Sequence, residues 1–288
     1  MREYSMTRTF IWLLPLAMLA ATLCGCAAGP AGSPQRDTVR VAVIGGMVET
    51  GFWSALAERF GQASGHHVEV VATGTKRVIA DAFRAGKADL ITMHASDTII
   101  NLVADGYAVN PQPWLRNDLV IVGPASDPAG VRGVTDAAAA LSKIKDSGSV
   151  FLVHSSLGSQ EVLRDVLDSA GLALDADKTM VLFKDQAREV LRIAAKHNAY
   201  TLVGRIPFLD GKLPNEGLEL MVRGDPRLRR PYVVAVASPA RFPQARVAAA
   251  TQLAEFLRNP KTQAWIADFG RGQLDDQPLF FRVGETPP

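Results

Sequence analysis

The feature that most limits what this chain can fold into is a repeated switch of periodicity. β-branched runs, glycine breaks and amphipathic stretches follow one another along most of its length. Val39-Arg40-Val41-Ala42-Val43-Ile44 reads as a buried strand and Gly45-Gly46 breaks it. Phe52, Trp53, Leu56 and Phe60 then fall at helical spacing, with Gly65 just beyond the end. The same reading predicts strands over His67 to Val71, Ala88 to Met93 and Leu119 to Val122, with helices over Val78 to Arg84 and Asp97 to Ala104. Further on it predicts helices over Thr135 to Lys145, Gly158 to Ser169, Gln186 to His197, Arg246 to Arg258 and Lys261 to Phe269. Strands are expected over Val150 to Val153, Thr179 to Phe183, Leu218 to Val222 and Tyr232 to Ala237. Alternation of this kind predicts an α/β fold with parallel-rich sheets covered by helices. Ligands of such sheets bind beyond the carboxyl ends of the strands, which points to the loops Gly45 to Thr50, Thr73 to Arg77, His94 to Ser96 and His154 to Ser159.

The N-terminus carries an address. Arg2 and Arg8, diluted by Glu3, precede an apolar run from Phe10 to Leu23. That run is short of the ~20 residues a membrane-crossing helix needs, so residues 1–25 read as a signal peptide. Leu23-Cys24-Gly25-Cys26 has the form of a lipobox, in which Cys26 is acylated and becomes the first residue of the mature chain. Cleavage removes Cys24, the only other cysteine, so no disulfide is expected. Residues 26–36, rich in Ala, Gly, Pro and Ser, read as a flexible tether. The remainder is long for one ordinary domain and natural for two lobes.

Composition excludes several classes. With 48% apolar and 21% charged residues and a net charge of +2, the chain is globular and nearly neutral. No Lys/Arg block supports nucleic-acid binding, and the cluster Arg227, Arg229 and Arg230 reads as a solvated face. Gly46 and Gly51 have the spacing of a phosphate loop, yet Phe52-Trp53 stand where Lys-Ser/Thr is required. What survives is an anion site made of backbone amides, or simply a tight turn. The loop His154-Ser155-Ser156-Leu157-Gly158-Ser159 offers three hydroxyls and an imidazole at a helix start, either as oxyanion ligands or as a helix cap. No Gly-x-Ser-x-Gly elbow, His-Glu-x-x-His motif or surviving cysteine pair is present, so neither catalysis nor a metal or other cofactor is expected.

Four stretches together resemble the tungstate-binding proteins of ABC transporters, a branch of the extracytoplasmic solute-binding proteins. They are Asn117-Asp118-Leu119-Val120-Ile121-Val122-Gly123-Pro124 with Asp127-Pro128, Asn198-Ala199-Tyr200-Thr201-Leu202 with Arg205, Gly224-Asp225-Pro226-Arg227-Leu228 with Arg230-Pro231-Tyr232, and Glu255-Phe256-Leu257 with Phe269-Gly270. Ala88-Asp89-Leu90 and His94-Ala95 also fit. The ligand motifs depart from the family's pattern. Its Thr-Thr-Thr-Ser run is matched by Val43-Ile44-Gly45-Gly46, without a hydroxyl, and His154 stands in place of the arginine of its Ser-Arg-Gly-Asp-Asp-Ser-Gly-Thr loop.

The resemblance implies a two-lobed periplasmic-binding-protein-like (type II) fold with two hinge crossings, near Gly123-Pro124 and Pro231-Tyr232. Lobe 1 is expected over 37–122 plus 234–288 and lobe 2 over 123–233. It implies a monomeric, non-enzymatic lipoprotein that passes a small anionic ligand of the tungstate or molybdate kind to an ABC permease with its ATPase. Expected contacts are Gly45 and Gly46 through backbone amides, Gly74, Thr75, His154, Ser155, Ser156, Ser159 and Arg205. A different small solute on the same fold, or a signalling or structural lipoprotein, are the alternatives.

Overall fold

A computed structural model describes residues 37–154, 157–182 and 189–284. The expected signal peptide, the tether and Cys26 lie outside them, as do Ser155 and Ser156. Among the described residues no helix is long and apolar enough to cross a membrane. In chain order the first half holds β1 (Thr38–Ile44), α1 (Gly45–Glu49), α2 (Phe52–Ser64), β2 (His67–Gly74), α3 (Lys76–Arg84), β3 (Leu90–His94), α4 (Asp97–Ala104) and β4 (Ala108–Pro124). Then come α5 (Ala137–Asp146), β5 (Phe151–His154), α6 (Leu157–Ser169), β6 (Thr179–Leu182), α7 (Val190–Lys196), β7 (Tyr200–Gly204) and α8 (Arg205–Leu209). The chain continues with β8 (Leu218–Val222), β9 (Arg229–Ala237), α9 (Val247–Arg258), α10 (Pro260–Ile266) and β10 (Phe281–Arg282).

These strands form two sheets that share β4. One runs β2-β1-β3-β9-β4 with β10 on its far side, the other β4-β7-β5-β6 with β8 also on β4. β4 changes partners in mid-strand: Asp118 still pairs with Arg229, and Leu119 already pairs with Gly204. The chain returns between β8 and β9, so among the described residues it passes between the sheets twice. Both changes of partner fall a few residues before the crossings expected from the sequence.

The pairing is less parallel than the alternation predicts. β1 is parallel to β2 and β3, and β5 to β6 and β7, but β9 runs against β3 and β4, and β4 runs against β7. Direction explains this. β4 leaves the first sheet heading the same way as β1 and β3, and enters the second against β5, β6 and β7. The carboxyl ends of the two parallel sets therefore face one another across the junction.

Each sheet is covered on both faces. Val39, Val41 and Val43 pack with Phe52, Trp53, Leu56 and Phe60 of α2 and with Leu253 and Leu257 of α9, while Ala42, Ile91 and Met93 face Ile79, Phe83 and Leu102 on the other side. In the second sheet Leu119 and Ile121 face Leu141 and Ile144, and Val120 and Val122 face Leu191 and Ala194. The β4 alternation thus sends successive residues into two cores. The Phe52 ring lies 4.4 Å from Phe280 and 5.5 Å from Trp265, binding the C-terminal segment to the first sheet. Such pairs add roughly 0.5–1.5 kcal/mol beyond area burial.

Several residues of the quoted stretches hold this architecture together. Tyr200 is fully buried, donates to Asp127 Oδ1 at 2.7 Å and accepts from the Ala129 amide at 3.0 Å. Its ring leaves no room for a side chain at Gly123, where a Cβ would stand 2.3 Å away. Asp225 accepts from the Ala137 and Arg227 amides, and Asp89 from those of Arg40 and Arg246. Arg205, at 0% exposure, donates through Nε to Asp118 at 2.8 Å, through Nη1 to Asp275 at 2.7 Å, and through Nη2 to the Pro278 carbonyl.

Two outcomes follow from these contacts. Removing one member of a buried charge network costs about 3–5 kcal/mol. Arg205→Ala should therefore melt roughly 6–20 °C below wild type, with little rescue by Arg205→Lys, which cannot reproduce the planar fork; a melt within 2 °C of wild type contradicts the role given to the network. Burial and the Asp127 bond raise the Tyr200 pKa from 10.0 to about 12. The folded state then holds more protons than the unfolded chain between those values, and stability falls as pH rises through the window. Urea unfolding should show an advantage of wild type over Tyr200→Phe that shrinks by on the order of 2 kcal/mol from pH 10 to pH 12.

Candidate functional site

A cavity of about 250 Å³ opens where the two sheets meet. Ile44 and Gly46 from the end of β1, His94 from the end of β3, and Gly204 and Ile206 from the end of β7 and the start of α8 form its walls, with Asn117, Arg230 and Tyr232 from β4 and β9. This is where the facing carboxyl ends predict a site. Glu49 and Lys212 also line it and pair with each other at 2.6 Å, with Lys212 reaching Asp210 at 2.9 Å as well. Phe280 and Pro207 supply much of the apolar wall. The volume lies below the ~300–1,000 Å³ of pockets for drug-sized ligands.

The expected contact residues are placed as follows. Gly46 lines the cavity, and Gly45 packs against Gly74, whose Cα would lie 3.5 Å from an added Cβ. That closeness follows from the β1–β2 register, in which Ile44 pairs with Gly74. Both glycines fall in or beside the five-residue α1, a turn of helix rather than the open loop expected. Thr75 caps α3, accepting from the Val78 amide at 3.5 Å. His154 ends β5, and burial lowers its pKa from the ordinary value. Ser159 lies buried in the first turn of α6. Neither His154 nor Ser159 is among the cavity-lining residues.

Two expectations need correction. Arg205 does not face the cavity: its guanidinium is turned into the junction of the sheets and held there by Asp118, Asp275 and the Pro278 carbonyl. The arginine cluster is not one solvated face. Arg227 folds onto Asp225 and Asp136, Arg229 lies 4.0 Å over the Phe281 ring, and Arg230 turns toward the cavity. A strand signal for this was present. Arg230, Tyr232, Val234 and Val236 share one face of β9, and the last three belong to the core.

Arg230 has charges of both signs nearby, Lys76 as a cation and Asp118 and Glu161 as carboxylates. Its Nη2 lies 3.3 Å from His94 Nε2, which must accept, because a guanidinium has only donors. A Cβ on Gly158, in the first turn of α6, would meet its Nη1 at 2.6 Å. Its Nε is shut off from solvent without a hydrogen-bond partner, and among the described residues no carboxylate lies within ion-pair distance. Burial and the Arg230 charge lower the pKa of Lys76, at the start of α3, and burial, Arg230 and Lys76 hold His94 well below the usual imidazole range. The cavity wall therefore presents Arg230, the Glu49-paired Lys212 and a neutral imidazole, with Lys76 and the first turn of α6 close to Arg230 outside the wall. Among the described residues, no group of three or more His, Cys, Asp or Glu residues is arranged to hold a metal ion.

The family model described as bacterial extracellular solute-binding protein matches residues 39–271. A relative from Haloferax volcanii, named for anion binding in ABC transport, is 30% identical over 273 residues, 91% of this chain and 78% of its own. The tungstate-binding protein TupA of Peptoclostridium acidaminophilum is 25% identical over 96% of this chain and 98% of its own. Among solved structures, tungstate-binding TupA from Desulfovibrio alaskensis superposes with a TM-score of 0.69 at 26% identity, covering 86% of this chain and 100% of that one. The tungstate ABC transporter protein of Geobacter sulfurreducens gives 0.64 at 27%, covering 81% and 98%. The two sheets are thus the two lobes of a type II periplasmic-binding fold, and the chain belongs to the bacterial extracellular solute-binding proteins, with likeness along its length to their tungstate-binding branch.

Proposed function

We propose that the chain is the extracytoplasmic binding component of an ABC importer and takes a small oxyanion of the tungstate or molybdate kind. The observation that carries this reading is the cavity itself. It lies at the facing strand ends, is sized for a small ligand, and has Arg230 and Lys212 at its wall, with the first turn of α6 packed against Arg230. Desolvated amides at helix starts bind anions without side-chain charge, which suits a β1 end whose matching family hydroxyls are replaced by Ile44, Gly45 and Gly46. In this reading Gly74, Thr75, His154, Ser155, Ser156 and Ser159, which are not among the residues lining the cavity, reach the ligand only when the lobes close, and Arg205 braces the junction from behind.

The lobe bounds expected from the sequence, 37–122 plus 234–288 and 123–233, shift by a few residues to 37–118 plus 229–284 for lobe 1 and 119–228 for lobe 2, with closure about β4 and the segment leading into β9 trapping the ligand. The mature chain is a monomer held to the membrane through lipid on Cys26. It hands its ligand to a permease driven by an ATPase and catalyses nothing. The relatives named for anion and tungstate binding support this assignment.

A thermal melt of the full-length chain in detergent against tungstate, molybdate, sulfate, phosphate and a panel of amino acids and sugars tests the ligand. A ligand at 1,000 times its Kd adds about 4 kcal/mol, or roughly 8–16 °C for a domain of this size. An absence of any shift with the oxyanions at millimolar concentration sinks this reading. Cys26→Ser should abolish incorporation of labelled palmitate and move the protein from the membrane to the soluble fraction; unchanged labelling removes the anchor.

A further inference from the structure

We propose that Arg230 is the residue that neutralises the bound anion, working from β9 in place of the arginine missing from the β5–α6 loop. This rests on the oxyanion reading and names the group that carries its charge. Three observations converge on it. Arg230, partly buried, lines the cavity with no carboxylate within ion-pair distance among the described residues, and its Nε is closed off from water without an acceptor. It is wedged against the first turn of α6, where the helix end is itself positive and repels a cation, so an anion bound beside both relieves that repulsion. Its third neighbour, His94, is kept neutral and can only accept from it, leaving the rest of the guanidinium fork to a ligand.

The placement also gives the ligand class. Arg230 faces the cavity and Lys76 stands near it outside the wall, while the lining carboxylate, Glu49, is already paired with Lys212 and Glu161 and Asp118 act on Arg230 from a distance. A compact dianion, which attracts Arg230 about twice as strongly as a monoanion does, is the ligand this single guanidinium favours. Gly158 is a positioning residue: any side chain there would push Arg230 Nη1 away from the helix end.

Calorimetric titration of the full-length chain with tungstate, molybdate and perrhenate, a monoanion of like shape, is the test. The wild type should prefer the dianions. Arg230→Gln should weaken tungstate binding by roughly 30-fold or more, as loss of one partner of a desolvated charge pair does, yet melt no lower than wild type without anion, because an unpaired cation has been removed. Gly158→Ala, which keeps every charge and favours the helix, should bind about tenfold more weakly, the equivalent of one charge-assisted hydrogen bond. Wild-type binding with Arg230→Gln and Gly158→Ala within threefold of it overturns the role of Arg230 alone. So does Arg230→Gln melting far below wild type in anion-free buffer, which marks the side chain as a structural contact. A wild type that binds none of the anions removes the oxyanion reading and this inference with it.

Discussion

The contact on which the rest of the structure depends is the pairing of Arg205 with Asp118. It sits at the residue where β4 leaves one sheet and enters the other. A charge buried to 0% exposure is tolerated only where its donors are engaged, and Arg205 engages Asp118, Asp275 and the Pro278 carbonyl together. Three distant stretches of chain are thereby fixed at one point. Arg223 reinforces it by bridging Asp275 and Asp276, and Phe281 lies under Arg229 beside it. With the junction set, the facing strand ends and the cavity between them follow.

The parts of the fold that a sequence reader recovers are those whose signal is local. β1, β8, α2 and α4 announce themselves through β-branched runs, helical spacing and a Gly65 cap in the left-handed region at φ 78°. The first half of β4 does not, because Pro111 and Pro113 read as breakers. They are accommodated because the register with β9 shifts between Val109 and Gln112 and again between Pro113 and Leu115, and Asn110 takes φ 52° at the irregularity. β7 is hidden for another reason. Its five residues lean on Gly123 and Asp127, more than seventy positions away, and nothing nearby marks them. The direction of each strand is likewise a property of the junction and leaves no local trace, which is why the antiparallel pairs were not expected.

The site divides along a similar line. Of the stretches that match the family, Asn117, Arg230 and Tyr232 line the cavity, while Asp118, Asp127, Tyr200, Arg205 and Asp225 make contacts that hold this fold. These last identify the scaffold and are silent about its cargo. The loops beyond the strands, where cargo is read, have departed from the pattern at Ile44 to Gly46 and at His154. A neutral imidazole at His154 does not replace a guanidinium in charge or in geometry. Arg230 stands in a quoted stretch and in the arginine cluster, but its inward direction follows only from counting alternate residues back from Val236 through Tyr232, a face whose other members are all buried.

Moving the positive charge from a loop to a strand changes what ligand binding does to the molecule. Arg230 pairs with Asn117 at the very junction, within a residue of the β4 partner change, while the helix end it approaches belongs to the second sheet. An anion bound beside both pulls directly on the segments about which the lobes move. Two unit charges 4 Å apart attract by about 4 kcal/mol at an effective dielectric constant of 20. Turning a population from 1:99 to 99:1 takes about 5.5 kcal/mol. One ion pair falls short of that, before any desolvation is subtracted. If binding drives closure as proposed, Arg230 therefore needs further groups, such as the first turn of α6 packed against it, to act on the same anion.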